Sequence, residues 1–96
     1  MKWKVTVTKR TAKQLDSLPR PIQERFDLLA KEMEVAGPIR RNWKNFGRLK
    51  GDQRIELYHC HIKSGRPTYV ACWQVVNKEI RLMEIYYVGT HEKAPY

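Results

Sequence analysis

The feature that most constrains the fold is a series of three segments near the carboxyl end, each rich in β-branched and aromatic residues. These segments are Arg54–Ile62, Pro67–Val76 and Glu79–Val88. The connections fall at Ser64-Gly65 and Asn77-Lys78, and turns this short join neighbouring antiparallel strands. From Tyr69 onward the middle segment is apolar on both faces except at Gln74, which is typical of a central, buried strand. The sequence therefore predicts a three-strand antiparallel meander.

The first residues alternate between apolar and polar side chains, which predicts a half-buried strand over Met1–Thr8. Thr11 and Gln14 have the spacing of a capping box, so we expect the first helix to begin there. It must end by Leu18, because Pro19-Arg20-Pro21 denies the backbone donors and dihedral angles that a continuing helix needs.

A second helix is predicted from Pro21 to the Gly37-Pro38 pair. Proline suits the first turn of a helix, and glycine followed by proline is a common helix end. The apolar side chains of this segment recur at helical spacing and form one stripe: Ile22, Phe26, Leu29 and Met33. We therefore predict a single α+β domain over residues 1–96, in which a two-helix hairpin packs on a sheet. The N-terminal strand and the meander build that sheet, in the order β-α-α-β-β-β.

The chain carries a large positive charge for its size. Its 96 residues include 19 Lys+Arg and 10 Asp+Glu, which gives a formal net charge of +9. Such a charge favours a polyanionic partner, although it can also serve only to keep a protein soluble. No apolar run reaches the length of a bilayer and no secretory signal opens the sequence, so we expect a cytoplasmic protein without a membrane partner.

After the second helix, Ile39–Lys50 is a predicted basic loop that contains no acidic residue. Its cations, with two from later in the chain, are predicted to contact a nucleic-acid backbone: Arg40, Arg41, Lys44, Arg48, Lys50, Lys63 and Lys93. Trp43 and Phe46 lie among these cations and have two interpretations. Their rings can stack on bases, or they can close the edge of the core.

Histidines supply the candidate catalytic groups. His59 and His61 alternate along one strand and so share a face, while Cys60 points to the other face. His91 follows the last meander strand and can converge on the same face. Imidazoles in a basic setting can act as general base, general acid or phosphate ligand, although a solvated surface histidine is the alternative. A zinc site is less favoured because no carboxylate lies nearby in the sequence, so we expect neither metal nor cofactor.

The two cysteines are predicted to fill the core as small apolar groups. Cys60 and Cys72 lie in adjacent predicted strands, so a disulfide is conceivable, but a reducing cytosol argues against it. Trp3 and Trp73 are likewise assigned to the core. Arg66 follows the turn glycine, which places it near the hairpin tip, where it can bind phosphate or remain solvated.

Several stretches, taken in order, resemble the RelE/ParE superfamily of toxin–antitoxin toxins. The carrying stretches are Leu49-Lys50-Gly51, Tyr58, Trp73-Gln74-Val75 and Tyr87-Val88-Gly89, followed by a polar tail that ends at Tyr96. The resemblance covers essentially the whole chain. The stretches G-R-P-T-Y-V-A-C-W and G-T-H-E-K-A-P-Y are similar to a RelE-like branch.

The resemblance implies a metal-free ribonuclease that cuts mRNA, commonly in the ribosomal A site, with the RNA 2′-hydroxyl as nucleophile. Carried over by position, His59 and His61 match two basic groups of the first meander strand, and His91 matches a tail arginine or histidine. Tyr96 matches the aromatic residue that stacks on the target base. The family's central-strand arginine has no match, since Val70 occupies that place, and Arg66 is the candidate substitute.

The resemblance also implies a cognate antitoxin as partner, with oligomers formed only through that antitoxin. The leading hypothesis is thus a RelE-like endoribonuclease that inhibits translation. Its candidate catalytic residues are His59, His61, Arg66, His91 and Tyr96. Two alternatives stay open: a ParE-like inhibitor of gyrase, and an RNA-binding member of the fold without catalytic activity.

Overall fold

A mixed five-strand sheet with two helices forms the body of the protein. The structure, a computed structural model, describes residues 2 to 96. In chain order the elements are β1 (Lys4–Val7), α1 (Lys9–Asp16), α2 (Arg20–Ala36), β2 (Lys44–Arg48), β3 (Glu56–Lys63), β4 (Tyr69–Asn77), β5 (Leu82–Thr90) and a 3₁₀ turn (His91–Lys93). The strand order is β1-β5-β4-β3-β2, with β1 parallel to β5 and every other pair antiparallel. The predicted α+β class and the meander are confirmed. Met1, with which the predicted first strand began, lies outside the described residues.

The predicted basic loop is wrong in one respect, because part of it forms the edge strand β2. Lys44 and Gly47 lie opposite His61 and His59 of β3, with a register shift between them. Asn45 adopts a positive φ of 55° at that irregularity. Two cations and a glycine weaken the strand pattern of Lys44–Arg48 in the sequence, whereas pairing with β3 satisfies the backbone and determines the conformation. The sheet therefore has five strands rather than the four expected.

Helix α1 begins earlier than predicted. Thr8 is its N-cap, and its hydroxyl accepts a hydrogen bond from the Thr11 backbone amide at 3.1 Å. The expected capping box is absent because Gln14 has another partner: its side-chain oxygen accepts from the Val88 amide of β5 at 3.2 Å. Helix α2 does have a proline in its first turn and ends at Gly37, as predicted.

The helices pack on one face of the sheet, where the main core lies. The predicted α2 stripe is buried, and its members contact the core side of β3, β4 and β5: Ile22, Phe26, Leu29 and Met33. Trp73 is fully buried at the centre, and its indole nitrogen donates to the Pro38 carbonyl at 3.1 Å. No helix among residues 2 to 96 has the length and apolarity needed to cross a membrane.

The opposite face of the sheet carries a smaller cluster and the carboxyl-terminal tail. Val70, Cys72 and Tyr87 are buried there, and Ala94 of the tail packs against them. Cross-strand pairing puts His59 opposite Cys72 and His61 opposite Val70 on this face. We call this surface, together with the tail, the histidine face.

Candidate active site

Four rings form a continuous series on the histidine face. The ring centroids of His61 and His91 are 5.4 Å apart, those of His91 and Tyr96 5.8 Å, and those of Tyr96 and His59 4.8 Å. Strand β3 holds His59 and His61, and the tail folds back to supply His91 and Tyr96. The structure thus brings together four of the five catalytic candidates that the sequence proposed, while their catalytic roles stay a prediction.

A cleft of about 560 Å³ opens beside these rings, between the β3–β4 hairpin tip and the start of the tail. His61 and His91 line it, and Arg66 enters from the hairpin tip. Arg66 is exposed, in a position from which its guanidinium can reach an anion in the cleft. Glu92 also lines the cleft, and sequence reasoning did not single it out. The cleft therefore combines two imidazoles, a guanidinium and a carboxylate.

Burial and neighbouring positive charge both lower the pKa of the two histidines of β3. Burial lowers the pKa of His59 below its ordinary value of 6.5, and nearby His61 and His91 lower it further. For His61 the pKa is lowered by burial, then by His91 and by Lys44. Both imidazoles are consequently neutral near pH 7 and able to accept a proton. The buried His59 Nδ1 finds no hydrogen-bond partner among the described residues.

The predicted nucleic-acid cations occupy different environments. Lys44 lies directly opposite His61, at the edge of the histidine face. Arg48 donates to the Gln53 carbonyl at 3.2 Å. The remaining exposed cations of the predicted set are free to approach a polyanion from several sides: Arg41, Lys50, Lys63 and Lys93.

Arg40 differs from the other predicted cations. Its guanidinium lies 3.2 Å from the Glu32 carboxylate of α2, and its side chain is only 15% exposed. This contact gives Arg40 a role in fixing the segment to the helix, so its position does not favour phosphate contact.

The aromatic residues of the same segment close the edge of the core. Trp43 is buried, and its indole nitrogen donates to Glu32 at 2.9 Å. Phe46 stacks on Tyr58 with ring centroids 5.6 Å apart and on Trp73 at 6.0 Å. Of the two interpretations that the sequence allowed, the structure therefore favours core closure over base stacking.

The cysteines are both buried and free, but they lie on opposite faces of the sheet. Cys60 belongs to the helix-side core as predicted, whereas Cys72 lies on the histidine face beside Tyr86. Burial raises the pKa of each thiol to about 12. Both cysteines are fully buried core residues, as predicted, and β4 places Cys72 in the smaller cluster, opposite His59. Among the described residues, no three His, Cys, Asp or Glu side chains are grouped to hold a metal.

Comparison with solved structures identifies similar folds across nearly the whole chain. The RelE of an archaeal RelE-RelB complex from Pyrococcus horikoshii OT3 is 22% identical, with a TM-score of 0.77 over 98% of this chain and 100% of that one. An arginine double mutant of E. coli toxin RelE in the free state is 20% identical, with a TM-score of 0.73 over 98% and 88%. The isolated E. coli RelE toxin is 19% identical, with a TM-score of 0.66 over 97% and 88%.

No protein-family model and no curated protein sequence matches the chain. The likeness is therefore one of three-dimensional structure, at a sequence identity too low to carry individual residues across. It agrees with the predicted α+β fold class. The chain has the fold of the RelE toxins.

Proposed function

We propose that this protein is the toxin of a toxin–antitoxin system and that it cleaves mRNA at the ribosome as an endoribonuclease. The observation that supports this most strongly is the cleft in which His61, His91 and Arg66 meet beside the ring of Tyr96. Acid, base and cation are the groups that RNA strand cleavage requires. The RelE fold supports the same proposal independently of those residues.

In the proposed reaction a neutral imidazole removes the proton from the RNA 2′-hydroxyl, and the 2′-oxygen attacks the adjacent phosphorus. His61 has the lowered pKa and the open position that suit this base. Arg66 stabilises the negative charge of the pentacoordinate phosphorane. The bond from phosphorus to the 5′-oxygen breaks as His91 donates a proton to that oxygen. The products are a 2′,3′-cyclic phosphate and a 5′-hydroxyl end.

The remaining groups of the site have supporting roles in this proposal. Tyr96 stacks on the base next to the scissile phosphate, because the residue is 49% exposed and its ring lies beside that of His91. His59 lies under that ring and sets its position. Side chains supply base, cation and acid, so the proposed mechanism uses no metal or other cofactor.

The positive surface supports an RNA partner and an acidic protein partner. Exposed cations flank the cleft on β2, at the end of β3 and in the tail turn: Lys44, Lys63 and Lys93. They suit the phosphate backbone of mRNA and of the ribosome. A cognate antitoxin with an acidic segment would mask the same cations, and we propose that higher oligomers form only through it. With these proposed partners, we expect the protein to act in the cytoplasm.

The proposal is tested with purified protein, ribosomes and a defined mRNA, with matched reactions that lack ribosomes. Wild-type protein is expected to produce discrete fragments that end in a cyclic phosphate, and the His59→Ala/His61→Ala variant is expected to produce none. Lys31→Ala, an exposed change on α2, serves as the control and should cleave normally. Equal cleavage by the wild type and the double variant would exclude these histidines.

Inhibition of gyrase is the second candidate function, and one observation favours it. Val70 is fully buried in the position that the RelE-like resemblance assigns to an arginine. A toxin without that arginine can retain the fold while acting on another target. DNA damage with intact mRNA after expression would support this function, whereas salt-sensitive RNA binding without cleavage would indicate a non-catalytic RNA-binding protein.

A further inference from the structure

One peptide group at the root of the tail is held at both of its ends. The Tyr87 hydroxyl donates to the Thr90 carbonyl at 2.7 Å, and the His91 amide donates to the Thr68 carbonyl at 2.8 Å. That carbonyl and that amide belong to the same planar unit. The two hydrogen bonds therefore fix the orientation of the plane from which His91 leaves the sheet.

Gly89 makes the first of these contacts possible. A Cβ atom placed on Gly89 would lie 2.8 Å from the Tyr87 hydroxyl oxygen and 3.1 Å from the ring carbon that carries it. Tyr87, Gly89 and His91 alternate on the same face, so the Tyr87 ring lies along the strand over the glycine. The φ of Gly89 falls outside the left-handed range, so the close contact, rather than the backbone conformation, accounts for the glycine.

The two residues that bond to the Thr90–His91 peptide, Tyr87 and Thr68, are themselves held in place. Tyr87 is buried in the cluster with Val70 and Cys72, so its ring has little freedom to move. Thr68 is fixed in the hairpin tip, where its hydroxyl donates to the Gly65 carbonyl at 2.9 Å. The hairpin tip and the tail root are thus joined through one peptide group.

We propose that Tyr87 and Gly89 are positioning residues that set the location of His91 against His61. Neither touches the cleft opening directly; they act through the Thr90–His91 peptide. The activity test of this inference rests on the proposed ribonuclease function, whereas its NMR test rests on the structure alone. Misplacing a catalytic group by about 1 Å can cost about 100-fold in rate, so this anchoring has a measurable consequence.

The activity test uses Tyr87→Phe, Gly89→Ala and the double variant. Gly89→Ala is expected to lower cleavage by about 10- to 100-fold, and Tyr87→Phe by about 5-fold, since one neutral hydrogen bond is lost. The double variant should cleave faster than Gly89→Ala alone, because removal of the hydroxyl makes room for the new methyl group. A double variant as impaired as Gly89→Ala, or more so, overturns the proposal.

Histidine NMR provides the readout that does not depend on activity. In Gly89→Ala and Tyr87→Phe, hydrogen exchange at the His91 amide should accelerate, and the pKa of His61 should rise as the neighbouring imidazole moves away. Gly51→Ala is the matched control, since its Cβ would meet only Leu57 at 3.9 Å, an ordinary contact.

Unchanged His91 exchange and an unchanged His61 pKa in both folded variants would refute the positioning role. If the wild type cleaves no RNA, the proposed function fails, and the NMR result still decides the positioning role. If Gly89→Ala does not fold, Tyr87→Phe carries both measurements, since it removes a single atom.

Discussion

The carboxylate of Glu32 offers a sharp test of how the segment before β2 is held. Its Oε1 atom accepts hydrogen bonds from Arg40 at 3.2 Å, Asn42 at 2.8 Å and Trp43 at 2.9 Å. The next residue is Lys44, which lies opposite His61 at the histidine face. Glu32→Gln keeps one oxygen acceptor in a side chain of the same shape, removes the charge and replaces the second carboxylate oxygen by an amide nitrogen.

The expected loss of stability follows from the strength of these bonds. Hydrogen bonds to charged groups contribute about 1.5–3 kcal/mol each and neutral ones about 0.5–1.5 kcal/mol. Three donors share one oxygen, and the Glu32 side chain is 27% exposed, so the differences do not add fully. We expect a loss of about 2 kcal/mol, which lowers the Tm of a domain of this size by about 8–16 °C.

The pH dependence of stability provides a second test of the role of Glu32. Burial raises the pKa of Glu32, but hydrogen bonds from Asn42, Trp43 and Arg40 outweigh it, and the pKa lies below its ordinary value of 4.5. The charged form is therefore stabilised in the folded state. That stability is present above the unfolded pKa and is lost as the pH falls through the folded pKa. The difference in Tm between the wild type and Glu32→Gln should narrow in acid.

Thermal unfolding followed by circular dichroism, at neutral pH and in acid, measures both effects. Glu34→Gln is the matched control: its partner Lys2 lies 3.7 Å away in an exposed pair. Such pairs contribute about 0–1 kcal/mol, so the control should unfold close to the wild type. A Tm for Glu32→Gln equal to that of Glu34→Gln, with the same pH dependence, would refute the reasoning.

Three further predictions concern the site and the cysteines. In His91→Ala, the acid limb of the pH–cleavage profile should shift to higher pH, because His61 loses a neighbour that lowers its pKa; an unshifted limb argues against His61 as base. Tyr96→Ala should slow cleavage by about 5- to 100-fold, since stacking contributes about 1–3 kcal/mol, whereas Tyr96→Phe should retain most activity; equal losses would exclude stacking. Cys60 and Cys72 should resist a thiol reagent until the protein unfolds, since burial raises the pKa of each to about 12; rapid labelling of the folded protein would contradict their placement.

Local sequence signals predicted the fold well where one pattern dominates. The meander has short turns and a doubly apolar central strand, and the α2 stripe has clear helical spacing. Edge strand β2 was missed because its cations face solvent and its conformation depends on pairing with β3. The α1 cap was misplaced because Gln14, which suits a capping box, bonds instead to Val88 across the fold.

The candidate site was predictable in its residues and less so in its arrangement. Alternation along β3 correctly put His59 and His61 on one face, the position of His91 after the last strand indicated that it could join them, and the resemblance added Tyr96. The role of Tyr87 as an anchor has no local signal, because its hydroxyl bond depends on a ring lying over a glycine two residues away. An aromatic residue two positions before a strand glycine is the one hint that a reader of the sequence could have used.

The measurement that tests the central claim most directly is 5′-end mapping of cellular RNA after brief induction of the protein. Wild-type protein is expected to generate new ends within coding regions, and the His59→Ala/His61→Ala variant, expressed to the same level and folded, is expected to generate none. Growth arrest with no new RNA ends, or the same ends from both proteins, would contradict the account.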